Sequence, residues 1–211
     1  LDCALRLEYD LNSITISAIR ANERDPLTYT NLTKAELTQA NIGQDVPYLL
    51  KNTPSAVVTS DAGAGIGYTG IRIRGSDPSR TNVTINGIPL NDAESQQVYW
   101  VNMPDFAAST DAIQVQRGVG SSTNGAGAFG ATINLQTNYI KPKPHADISS
   151  TFGSFNTRKF SASLSTGLLN NRFALDGRYS TITSDGYIDR ASSKLNAYAL
   201  SGICLGNRNS L

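Results

Sequence analysis

Residues Phe160 to Thr166 alternate without a break: Phe160, Ala162 and Leu164 lie on one side of an extended chain, and Ser161, Ser163 and Ser165 on the other. The same period runs through RFALDGRYSTIT, where Phe173, Leu175, Gly177 and Tyr179 oppose Ala174, Asp176, Arg178 and Ser180. A side chain returns to the same face every second residue only in a strand. The C-terminal part of the chain is therefore committed to antiparallel sheet with one apolar and one polar face. LLNN and SDGYIDRASS separate the strands, and from Ala146 onward there are four of about 9 to 12 residues. In LNAYALSGIC the phase is ambiguous. Such strands suit the wall of an outer-membrane barrel. They equally suit the edge of a soluble β-sandwich or a meander, and alternation alone does not separate the two. Four strands close no sheet, so their edges need partners.

Composition removes several other classes. Charged residues make up 17% of the 211, against a typical share of about 25%; Ser, Thr, Asn and Gly take their place. The formal net charge of +1 implies no strong field for nucleic acid or an anionic surface. No apolar run approaches the length of about 18 residues that a spanning helix needs, so contact with a bilayer must come through alternating strands. Cys3 and Cys204 stand at opposite ends and His145 is the single histidine. They offer no metal spacing, no disulfide framework and no Cys-His or Ser-His pair. The expectation is a protein without metal, cofactor or catalytic site. The chain opens at Leu1 without a methionine and stops inside a strand-like pattern, which reads as a fragment whose signal peptide is already gone.

Two glycine clusters argue the other way at first sight. Gly125, Gly127 and Gly130, like Gly65, Gly67 and Gly70, spell G-x-G-x-x-G, the dinucleotide fingerprint. That fingerprint works only where the glycines open a helix whose N-terminus holds the pyrophosphate. Here ATINLQT follows one cluster and IRIR the other, and both are strand patterns. A nucleotide-dependent oxidoreductase is disfavoured accordingly.

The N-terminal part mixes element types. Residues 1–11 read as a strand, NSITISAIR is extended and β-branched, and residues 21–31 are polar and expected as loop. TKAE at Thr33–Glu36 is a capping box for a short helix over 34–40. DVPYLLKNTP offers a second helix with Asp45 as N-cap and Pro54 as its stop. Strands are expected at Gly70–Arg74, Asn82–Asn86, Ala112–Arg117 and Ala131–Thr137, each with one buried face. These elements make a small α+β domain, joined through the proline-bearing NYIKPKP to the strands beyond.

In this order the motifs resemble those of TonB-dependent outer-membrane receptors, in which a plug domain fills a 22-stranded barrel. NSITISAIR is similar to the TonB box and the residues after it, IRIRGSDPSR to the plug's Arg-Gly segment, and VTINGIPLND to its Asn-Gly-Ile-Pro segment. IQVQRGVGSSTNGAGAFGATINLQT resembles the block that closes the plug, with Val119 in place of the usual Pro and Ala131 in place of a second Gly. The resemblance implies an α+β plug domain over 21–137 and a linker over 138–145. The first antiparallel transmembrane strands of an incomplete barrel would then occupy 146–211. Residues 1–11 resemble the tail of a carboxypeptidase-regulatory-like domain, and 12–20 the TonB box region.

The implied roles follow from the same likeness. Asn12, Ser13, Ile14, Thr15, Ile16, Ser17 and Ala18 would add as a strand to periplasmic TonB, with an ordinary edge strand as the bland alternative. Arg74 and Gly75 would form a plug–barrel latch with wall carboxylates; Arg80 and Arg117 are weaker members, and solvated arginines are the plain alternative. Ser76, Asp77, Asp92, Glu94, Gln96, Gln97, Tyr99 and Trp100 would lie on loops facing a small-molecule ligand, although Tyr99 and Trp100 equally suit packing. A ferric siderophore is the base-rate ligand; haem, cobalamin and glycan receptors share the frame. The implied location is the outer membrane of a Gram-negative bacterium, in contact with its lipid, with the plug on the periplasmic side. The competing reading is a stand-alone periplasmic binding module.

Overall fold

The computed structural model describes residues 20–22, 24–120, 127–137, 142–170 and 172–205. Three sheets account for its strands. A five-stranded sheet has the order β1-β6-β7-β4-β5, built from β1 (Thr28–Thr33), β4 (Thr81–Ile85), β5 (Ile88–Pro89), β6 (Ala112–Arg117) and β7 (Ala131–Gln136). β4 and β7 run parallel, and the other neighbours antiparallel. β2 (Ala56–Ser60) and β3 (Thr69–Ile73) form a separate antiparallel pair. β8 (His145–Gly153), β9 (Thr157–Ser165), β10 (Phe173–Ser184) and β11 (Ser193–Cys204) make an antiparallel meander. Helices α1 (Lys34–Ala40) and α2 (Val46–Leu49) complete the α+β unit, and no described helix is long and apolar enough to cross a membrane.

α1 starts where the sequence puts it. The Thr33 side chain accepts from the Glu36 amide and Glu36 reaches back to the Thr33 N–H at 2.7 Å, closing the capping box. Those bonds hold the exposed Glu36 carboxyl below its ordinary range. α2 is shorter than expected, because Asp45 makes no side-chain cap; its carboxylate is buried and accepts instead from the Thr69 hydroxyl at 2.9 Å. The stretch expected as loop before α1 contains the start of β1, TYTNLT, whose single aliphatic side chain is Leu32 and which pairs along β6. β3 presents Ile71 and Ile73 to the core and leaves Arg72 exposed. Leu37, Leu50, Val83, Trp100, Ile113, Val115, Ile133 and Leu135 pack around those isoleucines.

The glycines serve close approach. Gly65 sits at φ +77, where a Cβ would come within 2.7 Å of the Tyr48 ring and 2.8 Å of the Gln44 amide. Gly130 passes Ser76 so closely that a Cβ would lie 2.4 Å from its side chain. Replacing Gly65 with Ala is expected to cost about 2–4 kcal/mol, from left-handed backbone and overpacking together. Denaturant unfolding checks it, and a loss under about 1 kcal/mol would show that the loop yields freely.

The meander is built inside out relative to a water-soluble sheet. In β9 the polar phase is buried, with Lys159, Ser161 and Ser165 all under a tenth exposed, while Phe160 and Leu164 are open at 42% and 64%. Cross-strand register carries the apolar phase across the sheet: Gly177 lies opposite Leu164 and Leu200, and Tyr179 opposite Tyr198. Ile148 and Phe152 at 77%, Tyr198 at 87% and Leu200 at 79% stand outward, which settles the phase of β11. On the other face Ala174, Ser180, Ile182 and Ser184 are buried, and that face carries the contacts to the α+β unit described below. An apolar exterior over a polar, filled interior is the arrangement of a membrane barrel wall, and the open alternative of a soluble sandwich has the opposite sidedness.

Candidate functional site

The contact between the two parts centres on Asp105, which the short turn Phe106–Ser109 holds at its N-cap position with φ 52. Asp tolerates this left-handed conformation better than most residues. Its carboxylate is fully buried between two wall cations: Lys159 Nζ on β9 donates to Oδ1 at 2.6 Å, and Arg178 Nη1 on β10 donates to Oδ2 at 3.1 Å. Asn41 Nδ2 adds a bond to Oδ1 at 3.1 Å, and Lys159 Nζ also donates to Asn41 Oδ1 at 3.1 Å. Arg178 Nε donates to Ser109 Oγ at 2.7 Å and its Nη1 to Ser180 Oγ at 3.1 Å. One carboxylate thus holds two cations on adjacent strands, in a setting where each charge has lost its water. A cavity of about 240 Å³ opens beside this cluster, lined among others by Lys34, Asp111, Ser163, Asp176 and Arg178.

Four residues expected to meet wall carboxylates lie elsewhere. Arg117 Nη1 donates to Thr30 Oγ1 on β1 at 2.8 Å, inside the α+β unit. Arg74 leaves β3 at φ 53, and its guanidinium lies over Gly118, within 2.8 Å of where a Cβ there would stand. Gly75 has open space around it and Arg80 is exposed. Among the described residues the ion pairs across the seam run with the opposite polarity, acid from the α+β unit and bases from the wall. The signal for the bases was in the sequence, since Lys159 and Arg178 both fall in the polar phase of their strands. Asp105 had none, standing in a turn that no periodicity marks.

The loops expected to face a ligand divide. Asp77 accepts from Ser79 N–H at 3.0 Å, and Asp92 from Ser95 N–H at 2.7 Å; these bonds to Ser79 and Ser95 lower both exposed carboxyls. Both loops are thereby self-bonded turns. Glu94 and Gln96 are exposed, and Ser76 is half-buried beneath Gly130. Of the two roles open to Trp100 the structure gives packing and not the ligand-facing one: it is 4% exposed and belongs to the core cluster with the isoleucines of β3. Tyr99 is open, and with Gln97, Tyr68 and Thr81 it lines a cleft of about 90 Å³. Sequence reasoning weighed the loop before β3 only for its glycines and passed over Tyr68. That loop meets the wall: Tyr187 N–H in the β10–β11 connection donates to Ala62 O at 2.8 Å, and Gly63 lies under the Tyr187 ring. Tyr187 in turn stands edge-on to Phe155, with ring centres 5.4 Å apart. The stretch Asn12–Ala18 lies outside the described residues.

Comparison with known proteins supplies the relationship. Residues 22–132 match the family described as TonB-dependent Receptor Plug Domain. A probable TonB-dependent siderophore receptor, PirA of Acinetobacter baumannii, is 25% identical over 127 residues, which is 56% of this chain and 17% of that protein. The ferrienterobactin receptor of Escherichia coli K12 is 26% identical over 136 residues, 60% of this chain and 18% of that protein. The structure of the pyoverdine outer membrane receptor FpvA from Pseudomonas aeruginosa PAO1 superposes with a TM-score of 0.67 at 18% identity, covering 87% of this chain and 26% of that one. The chain thus spans under a fifth of the curated relatives it matches.

Proposed function

The chain belongs to the TonB-dependent receptor plug domain family, and from that premise we propose that it is the plug and first wall strands of an active-transport receptor. The receptor sits in the outer membrane of a Gram-negative bacterium, with its N-terminal side toward the periplasm. It takes up a scarce small molecule, with a ferric siderophore as the leading class, by pull from TonB on the N-terminal segment. The observation that carries this reading is the sidedness of β9 and β10, whose apolar face is bare and whose other face is buried against the plug domain, while β8 and β11 turn Ile148, Phe152, Tyr198 and Leu200 outward beside them. A stand-alone periplasmic module would leave Tyr198, Leu200, Ile148 and Phe152 in water, forming an apolar patch that a water-soluble protein rarely tolerates.

Within this function the Asp105–Lys159–Arg178 cluster is the latch that seats the plug, firm at rest because neither side can leave without stranding a buried charge. Arg74 and Arg80, exposed on the plug, are the candidates for pairing with other wall strands. Tyr68, Gln97 and Tyr99, with Asp92, Glu94 and Gln96 nearby, form the ligand-facing surface. Residues Asn12–Ala18 are the segment offered to TonB by strand addition. Deleting Asn12–Ala18 from the intact receptor is expected to abolish energised uptake of a ferric siderophore while equilibrium binding at the cell surface persists. Uptake that survives the deletion removes the box assignment, and loss of binding together with uptake removes the ligand-facing one.

A further inference from the structure

The polar side of the plug sheet carries a row of amide and hydroxyl side chains that crosses four strands. Asn31 on β1 stands opposite Gln114 on β6, Gln114 opposite Asn134 on β7, and Asn134 opposite Thr84 on β4. Gln114 and Asn134 are each no more than 2% exposed. Gln114 lies between Ile113 and Val115, both fully buried on the opposite face, so its amide has no route to water and must be satisfied internally. The partner it takes is main chain. Gln114 Oε1 accepts from Ala21 N–H at 2.8 Å, and Gln114 Nε2 donates to Ala21 O at 2.9 Å. A side-chain amide thereby stands in for the neighbouring strand of a sheet, holding both backbone groups of one residue. The remaining capacity of Gln114 is filled by Gln116 Nε2 and Asn31 Oδ1, each at 2.8 Å. The residue before is held as well: Arg20 donates to Asn31 Oδ1 at 3.1 Å and, through its other terminal nitrogen, to Gln136 Oε1.

We propose that this clasp on Arg20–Ala21 is the release joint of the plug, the point that must give way before tension from the N-terminal side reaches the sheet. The inference rests on the reading that the chain is pulled from that side. Its anchors, Asn31, Gln114 and Gln136, stand on three adjacent strands, β1, β6 and β7, so while the clasp holds, load spreads across the sheet and bypasses the Thr28 end of β1. Once Ala21 leaves Gln114, the load falls on Thr28, the first residue of an edge strand paired on one side only. Tension applied there opens the β1–β6 ladder one pair at a time from Thr28↔Arg117, which takes less force than shearing all pairs together. At Ala21 the joint is made of neutral hydrogen bonds, each of modest net strength, and among the described residues the Arg20 guanidinium donates only to neutral amide oxygens, with no carboxylate to pair with. It resists thermal fraying and yields before the ion-paired latch at Asp105.

Hydrogen exchange on the intact receptor tests this. The Ala21 amide should exchange slowly in the wild type, and Gln114→Leu should speed it about tenfold or more, the loss of one to two net hydrogen bonds. Val115 and Ile133 amides should stay protected, reporting that the sheet survives. Arg20→Ala, which leaves every side chain of the sheet's face intact, should produce a smaller acceleration at Ala21. Single-molecule pulling from the N-terminus should then lose its first, low-force event in Gln114→Leu and keep the later ones. Equal Ala21 exchange in wild type and both variants overturns the clasp, as does an unchanged first pulling event. If exchange and pulling respond as expected while uptake proves independent of TonB, the clasp stands and the transport reading is what fails.

Discussion

Replacing Asp105 with Asn should loosen the plug from the wall by about 2–3 kcal/mol, the cost of exchanging charge-assisted bonds for neutral ones around two buried cations. Asn is the informative substitution, because it keeps the shape of the side chain and tolerates φ 52. Ala at the same position should cost more, about 3–5 kcal/mol, since Lys159 and Arg178 then keep only neutral acceptors and have no countercharge. The penalty comes from stranded charge, so removing one of the charges should return part of it. Lys159→Met combined with Asp105→Asn is expected to be less destabilising than the sum of the two by at least about 1 kcal/mol. The measurement is denaturant unfolding of the intact receptor, followed through exchange at the Asn41 and Ser109 amides. Strict additivity of the two substitutions would show that the cluster is a neighbourhood and not a latch.

That cluster marks where sequence reasoning stops. Periodicity specified the two faces of β9 and β10 because a period of two is a local property, and the motif order specified the plug because each motif sits on one strand or turn. Neither could say which face of the wall was bare. The sidedness depends on what fills the interior, and filling is tertiary. The cluster at Asp105 was missed for the same reason. Lys159 and Arg178 stood in the polar phase in plain view, but their partner is a turn residue 54 and 73 positions away, and the resemblance drew attention to arginines in the plug instead. The start of β1 was read as loop because residues 21–31 are polar, and it became a strand through its register with β6. Trp100 suited a ligand-facing loop and packing equally, and it packs because its neighbours Val98 and Met103 carry the loop inward onto the core.

The second large effect is on pH dependence, and it comes from Asp45. Burial pushes its carboxyl from the usual 3.8 up to about 7, the Asp105 carboxylate adding to the rise while the bond from Thr69 works against it. The folded-state value is raised, so between about pH 4 and pH 7 the unfolded chain has ionised while the folded one still keeps its proton. Ionisation then favours unfolding. Stability contributed by Asp45 is full below the unfolded value, falls as pH rises through this window, and levels off above the folded value of about 7. The span corresponds to as much as about 4 kcal/mol. Asn at position 45 keeps the neutral form at every pH and still accepts from the Thr69 hydroxyl. Asp45→Asn should therefore exceed the wild type only slightly near pH 4.5, exceed it most at pH 8, and show no slope of its own between. The check is the difference between wild-type and Asp45→Asn unfolding midpoints from pH 4.5 to 8.5, a comparison that cancels the titration of every other group. Parallel curves would mean that Asp45 stays ionised in the fold. It would then act as a second fixed negative charge near the latch, drawing Lys159 and Arg178 away from Asp105 where a neutral Asp45 leaves them to it.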